Sequence, residues 1–112
     1  MVIHIDAGTL YACPVIVPRA NSVLSWSFIS RYYDVDFRLT KDEDDGTVTT
    51  IIPTISLMHD VEHPGKIEIP KEGTYYLVWD NSSSWVRERV VEYSYNLTFP
   101  PLTVEEKNRC ST

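Results

Sequence analysis

Four clusters in this chain carry side chains able to do chemistry. Ser82-Ser83-Ser84 offers three hydroxyls, but serine becomes a nucleophile only with a base held beside it, and none is implied here. Set behind Asp80-Asn81, these serines read as a turn, because Asp and Asn side chains bond nearby backbone N–H groups and tolerate left-handed backbone. His59 and His63 stand four apart with Asp60 and Glu62 between them. On a helix that spacing would place two metal ligands on one face; Pro64-Gly65 makes this segment a loop instead. Asp42-Glu43-Asp44-Asp45-Gly46 supplies the oxygen ligands that calcium takes, without the alternating spacing and closing glutamate of a helix-loop-helix site. Its composition reads as a solvated hairpin tip.

The fourth cluster is Trp85, Arg87 and Arg89, an aromatic and cationic edge on a strand whose Val86, Val90 and Val91 are apolar. Three readings stand side by side. The edge binds a protein partner, since Trp and Arg are the side chains that most often anchor interfaces. It docks on anionic lipid headgroups. Or Trp85 packs over the end of the fold while the arginines pair with Glu88, Glu92 or the acidic run. The chain has no glycine-rich phosphate loop, no carboxylate pair that stands out and no pattern calling for a cofactor or metal, so catalysis is not expected.

The elements that position these residues are strands. Residues 74–79 are almost all β-branched, aromatic or aliphatic, which suits a strand covered on both faces. After the loop at 80–84, Val91, Tyr93, Tyr95, Leu97 and Phe99 alternate with Glu92, Ser94, Asn96 and Thr98, the period of a half-buried strand. The two together are expected at the centre of a β-sandwich. Leu24, Trp26 and Phe28 alternate with serines, and Tyr33, Val35, Phe37 and Leu39 with Asp34, Asp36 and Arg38; residues 30–32 are the turn between them. Burying each large side chain is worth about 1.5–3 kcal/mol. Residues 1–6 read as an edge strand or a lead-in. Residues 9–17 form a strand that Pro14 and Pro18 confine to an edge or break. Residues 47–58 form a strand with a bulge or kink at Pro53, 59–65 a loop and 66–69 a short strand. About eight short strands and no helical stripe make an antiparallel sandwich of jelly-roll type over residues 1–100, with a polar tail at 101–112.

Three blocks carry a family resemblance. Gly73-x-Tyr75-x-Leu77-x-Trp79-Asp80-Asn81-Ser82-x-Ser84-Trp85, followed by basic residues and an alternating strand with Tyr93, resembles the signature of the GOLD (Golgi dynamics) domain. Leu24-x-Trp26-x-Phe28 and Tyr33-Asp34-Val35-Asp36-Phe37 resemble two upstream strands of that family. The likeness covers residues 9–99; Ser83 departs from it where many members carry an aromatic. It implies a non-catalytic protein-interaction module of Golgi and vesicle trafficking, or a weak membrane-binding module of a lipid-transfer protein. The members with luminal cargo-receptor roles carry a cysteine in the penultimate strand. Tyr76-Leu77-Val78-Trp79 has none, so the resemblance is to the cytosolic type found in CRAL-TRIO lipid-transfer proteins and in Golgi and autophagy adaptors. It places the protein in the cytoplasm, peripheral to those membranes, and leaves the sequons at Asn81 and Asn96 unused.

The totals agree with a single domain of 112 residues. A net charge of -6 argues against nucleic acid, whose phosphates call for a positive field. No apolar run reaches the length of a membrane-spanning helix, and residues 1–6 lack the pattern of a secretory signal. Cys13 and Cys110 then read as reduced thiols, with a bridge tying the two ends together as the alternative.

Overall fold

In a computed structural model, residues 1–101 are described. Eight strands follow one another: β1 (Val2–Ile5), β2 (Leu10–Val17), β3 (Ser22–Arg31), β4 (Val35–Asp42), β5 (Val48–Leu57), β6 (His63–Ile69), β7 (Gly73–Asp80) and β8 (Arg89–Thr98). They form two antiparallel sheets of four, ordered β1-β8-β3-β6 and β2-β7-β4-β5. Only β4 and β5 are sequence neighbours within one sheet. Every other connection crosses to the facing sheet, which is the winding of a jelly roll.

The alternation in the sequence becomes the two sides of each sheet. Along β3 every second residue, from Ser22 through Leu24, Trp26 and Phe28 to Ser30, is buried. Phe37 and Leu39 of β4 and Tyr75, Leu77 and Trp79 of β7 meet them from the other sheet. Trp79 is at the centre, with ring centroids 5.5 Å from Phe28, 5.7 Å from Phe37 and 4.7 Å from Tyr93. Val78, on the outer side of β7, is buried as well, so the middle of this strand is covered on both faces. Cys13 is a free, buried thiol on β2; Cys110 and the tail beyond residue 101 lie outside the described residues.

The prolines sit where a missing N–H does least harm. Pro14 is on β2 and Pro53 on β5, the two edges of one sheet. Around Pro53 the β4–β5 register slips between Phe37 and Leu39, the bulge expected there. Gly73 opens β7 at φ +150°, a region closed to side chains, and a Cβ there would press on Cε of Lys41 at 3.0 Å.

Several placements differ from the sequence reading. The turn expected at 30–32 is shorter, because β3 runs through Arg31 and still pairs with β8 there. Strands β7 and β8 are both interior strands, yet in opposite sheets; Trp79 and Tyr93 meet across the core. The loop expected at 59–65 is shorter, because β6 starts at His63 and pairs with β3 from Phe28↔His63 onward. Tyr33 does not continue the alternation of β4. Tyr32 turns the chain at φ 75° and leaves Tyr33 outside the sheet, which begins at Val35. Trp85, Val86 and Arg87, expected on a strand, lie in the β7–β8 loop; only Arg89 reaches β8.

Candidate interaction surface

Because successive strands alternate in direction, the connections β1–β2, β3–β4, β5–β6 and β7–β8 fall at one end of the sandwich. Their backbones are tied together. Gly8 N–H donates to the Asn81 carbonyl at 3.1 Å, Asn81 N–H to the Thr9 carbonyl at 2.9 Å, and Asp60 N–H to the Ser30 carbonyl at 2.7 Å.

Asn81 is the fastening point. It is buried, and its Nδ2 donates to the carbonyls of Ile5 (3.0 Å), Asp6 (3.3 Å) and Arg87 (2.8 Å). One amide thus joins β1, the first loop and the far end of the β7–β8 loop. The rest of the motif closes the loop locally. Ser82 N–H donates to Asp80 Oδ1 at 2.8 Å. Ser84 Oγ donates to the Arg87 carbonyl at 3.1 Å and faces the Arg87 N–H at 3.2 Å. These residues are therefore scaffold. The buried, fully engaged Asn81 amide is also closed to glycosylation, whereas Asn96 is exposed on β8.

Asp80 is held from the other side by Arg38 at 2.7 Å. Burial acts to raise the Asp80 pKa, but the hydrogen bonds from Arg38 and Ser82 outweigh it and hold the carboxyl below its ordinary value. A carboxyl whose folded pKa lies below its unfolded one stabilises the fold above the unfolded pKa, about 3.9, and loses that contribution as the pH falls through the folded value. Asp80→Asn is expected to be less stable than wild type by about 1–3 kcal/mol at neutral pH and to converge on it at strongly acid pH. Urea midpoints across that range measure the gap; a constant gap would mean that ionisation of Asp80 contributes nothing.

What this scaffold presents is Trp85. The indole is 93% exposed and Val86 82%, so Trp85 does not pack over the sandwich end. Nor do the arginines pair as that reading required. Glu88 pairs with His4 at 2.8 Å and Glu92 with Arg31, while the acidic run closes its own hairpin through Lys41–Glu43 and Asp45–Thr47 contacts. Arg87 and Arg89 instead lie against the ring of Tyr33, their guanidinium carbons 5.4 and 5.1 Å from its centroid. Arg89 Nε donates to the Asp34 carbonyl at 2.6 Å. The Asp34 carboxylate accepts from His59 N–H at 2.9 Å and pairs with His59 Nδ1 at 2.7 Å, contacts that hold its pKa below the ordinary value. Tyr32, Met58 and Val61 are further exposed apolar side chains at this end. Composition marked Trp85, Arg87 and Arg89; Tyr33 was missed because the alternation into β4 read through it, and Tyr32 because it was read only as part of a turn. Tyr at a turn position was the only available signal.

The other candidate groups disperse. His59 turns to Asp34, and His63 pairs with the Met58 carbonyl at 2.7 Å against the Phe28 ring. Each of the three histidines is thus engaged away from the serines. Among the described residues no group of three His, Cys, Asp or Glu is arranged to hold a metal ion, and no helix is long and apolar enough to cross a membrane.

No family model matches the chain. Among solved structures, a protein described as "Family 16 Carbohydrate Binding Module-2" is similar to it at a TM-score of 0.42 and 11% sequence identity, over 86% of this chain and 74% of that one. A similarity at that level carries no argument about what this chain binds.

Proposed function

We propose that this domain is a non-catalytic protein-interaction module whose working surface is the loop end carrying Trp85. The carrying observation is a tryptophan 93% exposed at the tip of a loop that a buried asparagine pins to three carbonyls. A large apolar side chain left in water on a fixed support is the form of an interface anchor. Pinning the loop beforehand lowers the ordering entropy that binding would otherwise oppose. Tyr32 adds a second sign. A bulky residue at φ 75° costs about 1–3 kcal/mol, and here the ring it carries is 71% exposed, so the fold gains no burial in return. The setting in Golgi or vesicle trafficking rests on the GOLD resemblance of residues 9–99, as does a cytoplasmic location peripheral to those membranes.

The test is affinity capture from cytosol and detergent-solubilised membranes, read by quantitative mass spectrometry. Trp85→Ala is expected to leave unfolding free energy within about 0.5 kcal/mol and to weaken the captured partners by about 2 kcal/mol or more, roughly thirtyfold. Tyr32→Asn, whose short side chain tolerates left-handed backbone, should weaken capture while the thermal midpoint holds or rises. Partners retained in full by a folded Trp85→Ala chain would move the working surface elsewhere.

A further inference from the structure

We infer that the segment received by this end is an acidic stretch of a partner protein, its carboxylates seated on Arg87 and Arg89 beside an apolar side chain on Trp85. The inference rests on the loop end being a docking surface. The chain holds 16 Asp and Glu against 10 Lys and Arg, so carboxylates are in excess for any surface arginine. Arg31 takes Glu92, Arg38 takes Asp80 and Lys41 takes Glu43. Arg87 and Arg89 take none among the described residues, and the carboxylates nearest them in the chain are engaged elsewhere. Glu88, between the two, is turned to His4. Asp34 gives Arg89 its carbonyl and pairs its carboxylate with His59, so that the carboxylate acts on Arg89 only weakly and without an ion-pair contact.

The pair is therefore two like charges held on one ring. Cation–π attraction at an exposed site is weak; it orients the guanidinium groups without neutralising them. An entering carboxylate does neutralise them, and guanidinium offers it two parallel N–H donors. Donors are free for this. Arg89 uses Nε on Asp34 and one Nη on the Arg87 carbonyl at 3.3 Å, while the Arg87 guanidinium donates no hydrogen bond to any described residue. The surroundings favour a narrow acidic segment over a broad anionic membrane. Asp6, Asp60, Glu62 and Glu88 are exposed in the same loops or beside the arginines. A charged bilayer would face all of them at once, whereas a peptide can engage the arginine pair alone.

The experiment is selection from a random peptide library displayed on phage against the wild-type chain, with the selected peptides titrated by fluorescence anisotropy. Selected peptides should carry Asp or Glu beside an aromatic or aliphatic residue. Their affinity should fall by about tenfold or more on Arg87→Glu/Arg89→Glu and on raising the salt. If the reversed chain loses its fold, Arg87→Gln/Arg89→Gln removes the charge at similar length and should show the same loss. Selection on a folded charge-reversed chain should return peptides rich in Lys and Arg. Peptides that need Trp85 but lack acidic residues, and bind the charge-reversed chain equally, would overturn the inference and leave the docking surface standing. No peptide dependent on Trp85 would overturn both. Cosedimentation with vesicles of phosphatidylcholine and phosphatidylserine, abolished by the double substitution and with no peptide selected, would assign the arginines to a membrane and likewise overturn the inference.

Discussion

Asn81→Asp is expected to destabilise the domain by about 3–5 kcal/mol at neutral pH, the range for a buried charge without a partner. The substitution is nearly isosteric, so packing is not the cause. The Asn81 Nδ2 donates to three backbone carbonyls, of Ile5, Asp6 and Arg87. A carboxylate in its place would set a negative oxygen against three carbonyl oxygens in a buried site. Protonation relieves part of this, because a neutral carboxyl can donate once. The folded variant therefore binds its proton more tightly than the unfolded chain, and its deficit should shrink as the pH falls through the carboxylate range. Asn81→Ala, with no group to titrate there, should lose about 2 kcal/mol without that pH dependence. Urea unfolding at several pH values separates the two. Hydrogen exchange gives the local reading: amides across residues 82–88 should lose protection in both variants, since the tie from Asn81 to Arg87 spans that loop. A deficit in Asn81→Asp that does not vary with pH would refute the electrostatic account.

Gly65→Ala is expected to cost about 3 kcal/mol, the upper part of the range for overpacking, although it adds one methyl group to an edge strand. Gly65 pairs with Trp26 across β3 and β6 and faces inward. The indole lies directly over it, so an added Cβ would run into Cε2 and Cζ2 of Trp26. The ring cannot swing away freely, since Phe37 packs with its centroid 5.7 Å from it and Phe28 and Phe37 are themselves 5.0 Å apart. In return, the indole fills the space that the missing side chain leaves on β6. A double-mutant cycle isolates this relation. Trp26→Leu alone should be destabilising by loss of buried area. Gly65→Ala in the Trp26→Leu background should be nearly neutral, because the colliding atoms are gone. Strict additivity of the two substitutions would refute the contact. Together, Asn81 and Gly65 mark two sites where one atom decides the fit: at Asn81 a nitrogen exchanged for an oxygen, at Gly65 a carbon added.

The part of the fold visible in the sequence is the part set by neighbouring residues. Leu24, Trp26 and Phe28 had to share a face because a strand turns its side chains alternately, and all three are in the core. Pro14 had to lie on an edge or break its strand, and Pro53 to bring a bulge or kink, because proline lacks a donor. The chain had to turn after Asp80 because the Asp80 and Asn81 side chains satisfy nearby backbone. Tyr33 shows where this reasoning ends. It keeps the apolar alternation of Val35, Phe37 and Leu39, yet the sheet stops short of it. The left-handed turn at Tyr32 redirects the chain, and two arginines from residues more than fifty positions later occupy its ring. Likewise the β7–β8 loop carries no local mark of whether the chain returns to the same sheet or crosses to the other.

The candidate surface divides in the same way. Trp85, Arg87 and Arg89 were identifiable by residue type, and Asn81 and Ser84 by turn chemistry. Which carboxylate each arginine meets could not be read from spacing, because His4, Arg31 and His59 compete for Glu88, Glu92 and Asp34 from elsewhere in the chain. The sequence by itself determined an all-β sandwich with its core strands and the turn that begins at Asn81, since periodicity, proline and turn residues act over a few neighbouring positions. Only the tertiary structure decided that Trp85 stands in water and that two arginines share a ring with no ion pair to either among the described residues. Both depend on how four loops, distant in sequence, converge at one end of a jelly roll.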